Sequence, residues 1–297
     1  KVGVEKTDLA TGKITLERVD PNRPLTVQDL MRHTAGLTYG SRGSAYEAVK
    51  TLYREAKIGS RDDTNAGLVD KLANIPLTFH PGTRWEYGVS TDVLGRVVET
   101  VSGQSLGQFF ETRIFKPLGM NDTAFHVPAD KLARAAQPWS RPGGPEQTPR
   151  FDVAVPPKYE SGGGGLVSTM SDYLRFAQML LNGGEFNGKR LLGAMTVDYM
   201  AADHLGDIPG FGRPGLGFGL AVQMRKAEGL AGLPGSAGEY GWAGAAGTLF
   251  WVDPKERLIG LYMIQVSEGE RVYFRDQFKT LVAQTVVKRA NGTAATH

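Results

Sequence analysis

Pro81-Gly82-Thr83-Arg84-Trp85-Glu86-Tyr87-Gly88-Val89-Ser90-Thr91-Asp92-Val93-Leu94-Gly95 is the stretch from which the fold of this chain is read. Pro81-Gly82 makes a turn that delivers Trp85, Glu86 and Tyr87 into a loop. Ser90 is placed to cap the helix that follows, which carries Val93, Leu94, Val97 and Val98 on one side. Tyr87 is thereby expected at the entrance of a helix, held by a turn on one side and an apolar face on the other.

Upstream, Thr26 caps a helix with Val27, Leu30 and Met31 that stops at Ala35-Gly36, and helical periodicity returns from Tyr46 to Ile58 and from Asn65 to Ile75. Residues 1 to 25 alternate around Thr11-Gly12 (Lys13-Ile14-Thr15-Leu16-Glu17) and read as a short hairpin or a loop excursion. Downstream, a helix from Ser105 to about Phe115 ends at Lys116-Pro117-Leu118-Gly119. Six prolines between Pro138 and Pro157, Pro145 among them, mark a long surface connection, followed by the glycine run Gly162 to Gly165. Beyond it come helices near Asp172 to Leu181 and Met195 to His204, strand-like segments at 217–224, 247–252 and 258–264, and an amphipathic helix from Phe274 to Val287. Helices early and strands late predict an α+β fold, an antiparallel sheet flanked by helices plus a mainly helical region. The expected division is 1–160, mainly helical, and 161–297, with the sheet strands and terminal helix.

At 297 residues and 41% hydrophobic, the chain fills one large core or two smaller ones. Thirty-four Lys and Arg against 31 Asp and Glu leave +3, too little and too scattered to argue for nucleic acid or an anionic membrane. Cysteine is absent, which excludes disulfides, thiolate catalysis and zinc-thiolate sites. No apolar run of about 18 residues predicts a membrane span, and Lys1 to Leu9 are mixed and polar, unlike a signal segment. Bacterial cytoplasm and periplasm are both compatible with the sequence, and a homodimer is an open expectation.

A metal-free ester or amide hydrolase needs a nucleophile, a base and donors for the oxyanion. His33, His80, His126, His204 and His297 sit in unrelated contexts and no G-x-S-x-G elbow is present, so the α/β-hydrolase reading fails. A tyrosine serves as base if a nearby ammonium lowers its pKa from about 10. The glycines 162–165 lack the G-x-x-x-x-G-K-[ST] continuation of a phosphate loop and read as a close-packed turn.

Leu25-Thr26-Val27-Gln28-Asp29-Leu30-Met31-Arg32-His33-Thr34-Ala35-Gly36-Leu37 resembles a segment of class C β-lactamases, family VIII esterases and related penicillin-recognising enzymes. The resemblance continues through Pro81-Gly82, Trp85-Glu86-Tyr87, Ser90 to Gly95, Pro117-Leu118-Gly119-Met120, Gly163 to Asp172 and Gly241 to Pro254, nearly the whole chain. It implies a β-lactamase/transpeptidase-like fold and chemistry built on S-x-x-K, a tyrosine and a K-T-G strand. Carried over, Tyr87 takes the proton-shuttling tyrosine position and Trp242-Ala243-Gly244 the K-T-G position, with the Ala245 N–H as one oxyanion donor. Tyr39 is read either as a pocket-lining aromatic or as surface packing. Asp92 is read by default as a helix cap, and otherwise as orienting Trp242. His33 is read as a structural histidine.

Two departures carry information. Val89 stands where asparagine is expected, and Trp242 where the family lysine helps hold a substrate carboxylate, which favours neutral, hydrophobic acyl esters over penicillins. Closest in these features are the family VIII esterases, which often show W-x-G there. None of the twelve serines, at 41, 44, 60, 90, 102, 105, 140, 161, 168, 171, 236 and 267, has a lysine three residues on. The resemblance implies an S-x-x-K helix upstream of His33, so the chain is expected to be the C-terminal portion of a longer enzyme. The expected activity is a carboxylesterase acting through an acyl-enzyme on a small-molecule ester, with no metal and no cofactor. The alternatives are a β-lactamase or D-Ala-D-Ala peptidase, and a binding module of the same fold that has lost its nucleophile.

Overall fold

Thr26 starts the first helix by the chemistry its position implies. Its Oγ1 accepts from the Asp29 N–H at 3.2 Å while Asp29 Oδ2 accepts from the Thr26 N–H at 3.0 Å, a reciprocal capping box. The structure is a computed structural model that describes residues 1–7, 11–12, 14–41, 46–144, 146–266 and 269–290. Leu9, Lys13, Ser44, Pro145, Ser267 and His297, named above, lie outside the described residues. The chain forms two compact units, the first from Lys1–Phe109, Pro157–Gly165 and His204–Gly212, the second from Phe110–Pro156, Leu166–Asp203 and Arg213–His297.

In the first unit, β1 (Val2–Thr7) and β2 (Ile14–Val19) form the expected antiparallel hairpin. Then follow α1 (Val27–Met31), α2 (Glu47–Glu55), α3 (Asn65–Leu72) and α4 (Ser90–Ser102). Their apolar faces meet in one core around Leu30, Val49, Tyr53, Leu68 and Val89, with Val93, Leu94 and Val97 of α4 against it. Gly103, at φ 68°, ends α4 in the left-handed conformation that suits glycine. Ser90 is not the cap of α4: it is the first helical residue and Val89 holds the cap position, without a side-chain bond. The chain leaves this unit within α5 (Leu106–Phe110).

The second unit continues through a π-helical turn, Glu111–Phe115, into α6 (Lys116–Leu118), with Gly119 in the left-handed region behind it. Next are α7 (Met170–Leu181), β3 (Glu185–Phe186), β4 (Lys189–Arg190) and α8 (Ala194–Ala201). A five-stranded antiparallel sheet then runs in sequence order through β5 (Leu216–Phe218), β6 (Gln223–Arg225), β7 (Tyr240–Ala243), β8 (Leu249–Asp253) and β9 (Leu258–Tyr262), and α9 (Arg271–Thr285) closes the unit. Alternation along β8 divides its side chains between the two faces. Phe250 and Val252 enter the core with Ala177, Met179 and Leu180 of α7, while Trp251 meets Phe278 of α9 at a ring separation of 5.9 Å. Gly260 lies opposite Trp251, and a Cβ there would fall 2.1 Å from the indole. An α+β architecture with an antiparallel sheet flanked by helices results.

The strand expected over 217–224 is two strands, β5 and β6, because residues 219–222 turn back and Gly219 N–H bonds the Val222 carbonyl at 2.8 Å. The last helix starts at Arg271, three residues before Phe274. Among the described residues no helix is long and apolar enough to cross a membrane.

Candidate active site

Tyr87 sits in a loop whose backbone is tied down residue by residue. Trp85 N–H bonds Pro209 O at 2.7 Å and Glu86 N–H bonds His33 O at 2.9 Å. Glu86 is buried, and its carboxylate accepts from Thr38 Oγ1 at 3.1 Å. Gly88 then passes so close to the 37–38 backbone that a Cβ would lie 2.6 Å from both Leu37 O and Thr38 Cα. Gly88→Ala is therefore expected to push the loop off its support and cost about 1–3 kcal/mol, read as a lowered urea midpoint; an unchanged midpoint would refute the close approach.

Around Tyr87 the rings form a cluster within the first unit. His33 lies 4.9 Å away and Tyr39 5.3 Å away by ring centroids, Trp85 stacks at 6.2 Å, and Phe211 meets Trp85 edge-on at 4.9 Å. Tyr39 thus packs directly on the candidate shuttle, and Tyr87 itself stays partly exposed. His33 is buried in the left-handed region at φ 57°, and burial pulls its pKa down to about 4. It is neutral near pH 7 and brings no positive charge to the ring cluster.

Below this cluster lies a fully buried carboxylate. Asp29 receives Arg23 through two bonds, 2.7 and 2.8 Å, Arg32 Nη2 at 3.2 Å, Thr34 Oγ1 at 2.8 Å and both donors of Thr26. Burial works to raise its pKa, but the bonds from Arg23, Thr26 and Thr34 together hold it well below the usual carboxylate range.

Asp92 departs from its expected capping role. It stands at the third position of α4, and its Oδ1 accepts from Ser161 Oγ at 2.5 Å and from Gly163 N–H at 3.1 Å. Position 162 must be glycine for this, since a Cβ there would meet Thr91 O at 2.5 Å. The glycine run is a turn packed on α4. Burial and the Asp92 charge push the neighbouring Tyr159 phenol pKa up, so it remains protonated.

In the second unit, Trp242 and Ala243 close strand β7, paired with Phe250 and Leu249. The Trp242 ring packs edge-on against Phe218 at 5.3 Å and against the α7-side core. Gly244 to Gly247 turn the chain into β8, with Gly244 N–H on Thr248 O at 2.8 Å and Gly247 N–H on Gly244 O at 3.2 Å. A Cβ at 244 would meet Thr248 Oγ1 at 2.1 Å, so a side chain there would force the Thr248 hydroxyl to turn away. Ala245 is exposed at the tip and borders a polar recess of about 170 Å3 lined by Gln147, Thr148, Arg150 and Gln265. Two arginines of α9 hold the turn by its carbonyls: Arg271 Nη1 donates to Ala245 O at 2.8 Å, Arg275 Nε to Gly247 O at 3.1 Å, and Arg275 Nη2 to Gly244 O. Sequence reasoning missed both arginines, since nothing in their spacing points to carbonyls some 30 residues away.

The sequence model of the family described as Beta-lactamase matches residues 17–284. An uncharacterised protein of Mycobacterium tuberculosis is 37% identical over 267 residues, which cover 84% of this chain and 65% of that protein. Esterase EstB of Burkholderia gladioli is 31% identical over 271 residues, 84% of this chain and 66% of the relative. The chain thus spans about 65% of the length of the curated relatives it matches. Among solved structures, EstCE1, described as a hydrolase with promiscuous acyltransferase activity, superposes with a TM-score of 0.73 at 24% identity, over 89% of this chain and 73% of that one. That likeness shows the β-lactamase/transpeptidase-like fold.

Proposed function

The chain belongs to the beta-lactamase family, and on that premise we propose that it supplies the base and an oxyanion donor of a serine hydrolase that cleaves carboxylic esters through an acyl-enzyme. The serine Oγ of an S-x-x-K turn attacks the ester carbonyl as Tyr87 takes its proton. The oxyanion that forms accepts from the Ala245 N–H, and collapse expels the alcohol with the proton returned by Tyr87. Water, activated by the same phenolate, then releases the acid. None of the twelve serines here has a lysine three residues on, so the reading leaves the nucleophile to an S-x-x-K segment outside these 297 residues.

The observation that carries the reading is the Trp85-Glu86-Tyr87 loop, which holds a partly exposed phenol between the His33 and Tyr39 rings. For esters over lactams, Trp242 places an apolar ring where the family lysine would make a charge-assisted contact to a substrate carboxylate. Losing such a bond costs about 1.5–3 kcal/mol, roughly 10–100-fold in affinity. The esterase name of the Burkholderia gladioli relative points the same way.

A chromogenic short-chain ester and a chromogenic cephalosporin, assayed on this chain and on any longer form with an S-x-x-K segment, test it together with intact-mass detection of a serine-directed phosphonate adduct. Ester turnover with a single adduct is the expected result for a form that carries an S-x-x-K segment, and neither is expected for the 297 residues by themselves. Faster cephalosporin turnover would mean a β-lactamase. The second reading, a binding module of the same fold, is favoured by the lack of S-x-x-K among these residues, and absence of both turnover and adduct in every form would overturn the ester reading in its favour.

A further inference from the structure

Arg271 and Arg275 are one helical turn apart at the start of α9 and so share a face. Helix N-termini disfavour cations, and the first turn of α9 carries no acidic residue to offset them. What the two guanidinium groups do instead is bind carbonyls of the 244–247 turn at Gly244, Ala245 and Gly247. Burial first, then the like charge of Arg271 and more weakly that of Arg213, lower the pKa of Arg275, while the Asp276 charge works against them.

One of these bonds has a chemical consequence. The Gly244 carbonyl and the Ala245 N–H belong to the same planar, trans peptide unit. A guanidinium bonded to that oxygen fixes the plane and therefore the direction of the N–H, which points the opposite way. It also draws electron density toward the oxygen, which makes the N–H a stronger donor through the amide. Among the described residues no backbone carbonyl accepts from the Ala245 N–H.

We infer that Arg275 is a positioning residue that aims and polarises the Ala245 N–H as an oxyanion donor through the Gly244–Ala245 peptide, with Arg271 fixing the next peptide from its own carbonyl. This rests on the ester-hydrolase reading for its catalytic meaning, but the clamp can be tested without turnover.

The experiment is 1H–15N spectroscopy of the full 297-residue chain. In the unmutated protein the Arg275 Nε–H should appear as a resolved resonance protected from solvent exchange at neutral pH; exchange as fast as that of free arginine would overturn the clamp. In Arg275→Met the Ala245 amide should move upfield and exchange faster, while the amides of β8, from Leu249 to Asp253, stay in place; an unmoved Ala245 amide overturns the inference. Arg275→Lys keeps the charge but cannot reach two carbonyls, and should give an intermediate shift. In an ester-cleaving form, Arg275→Met should lower kcat by about 10–100-fold with KM within about twofold, short of the ~10²–10³ seen when an oxyanion donor is removed outright, and Arg275→Lys should recover part of it. Lack of ester turnover in the unmutated enzyme would sink the ester reading and leave the clamp to be decided by the amide signals.

Discussion

In a form that carries the S-x-x-K segment, Tyr87→Phe is expected to lower kcat for a short-chain ester by about 10²–10⁴-fold, the range for loss of a general base, with KM nearly unchanged. Phenylalanine keeps the ring that packs 4.9 Å from His33 and 5.3 Å from Tyr39, and the loop is held by backbone bonds at Trp85 and Glu86 that do not involve the phenol. The variant should therefore unfold at nearly the wild-type urea concentration, within about 0.5 kcal/mol. Loss of activity without loss of stability would assign the effect to the hydroxyl. Full activity in the variant would remove Tyr87 from the mechanism and with it the proposed chemistry.

The largest effect on stability is expected from Asp29→Ala. The carboxylate is fully buried and receives Arg23, Arg32, Thr26 and Thr34. Its removal takes the shared carboxylate from both arginines, but Arg23 is partly open to solvent and keeps Pro24 O, and Arg32 keeps Thr34 Oγ1 and His204 O, so the loss is expected at the low end for a broken buried ion pair, about 3 kcal/mol. Urea denaturation checks this, and a loss below 1 kcal/mol would show that water reaches the site. The same region sets the acid limit of the first unit. Burial depresses the His33 pKa to about 4 in the folded protein. As pH falls from the unfolded value of about 6.5, the unfolded chain binds a proton that the folded one refuses, and stability is lost, on the order of 3 kcal/mol by pH 4. Asp29, whose folded pKa is held below the ordinary range, adds its own loss only as pH drops below about 4. Urea midpoints measured from pH 7 to 3 should decline in that order.

Local chemistry was legible only in part: Thr26 caps its helix as read, whereas Ser90 and Asp92, both read as caps, are not. Thr26 and Asp29 form the box that a threonine followed three residues later by a carboxylate implies, and Gly103 stops α4 where a glycine should. The aromatic loop was legible because Pro81-Gly82 and the α4 periodicity bracket it. Long-range pairings were not. Asp92 satisfies Ser161 and Gly163, 69 and 71 residues on, and no pattern near Asp92 announces that. The carbonyl clamp of Arg271 and Arg275 is hidden for the same reason. The division of 217–224 into β5 and β6 escaped because Ala221 occupies positive φ, 61°, where turn chemistry leads one to look for glycine or asparagine.

The interleaving of the two units along the chain sets an order on biosynthesis. The Trp85 N–H that anchors the Tyr87 loop finds its acceptor at Pro209, and Asp92 finds its donors at 161 and 163. At ordinary elongation rates of about 5–20 residues per second, Pro209 is made roughly 6–25 s after Trp85. During that interval the nascent first unit holds apolar and aromatic surface without its final strap, and a ribosome stalled between the two positions would present that unfinished surface to chaperones. Synonymous codons that slow translation between Trp85 and Pro209 should therefore lower the soluble yield more than the same codons placed after Gly212.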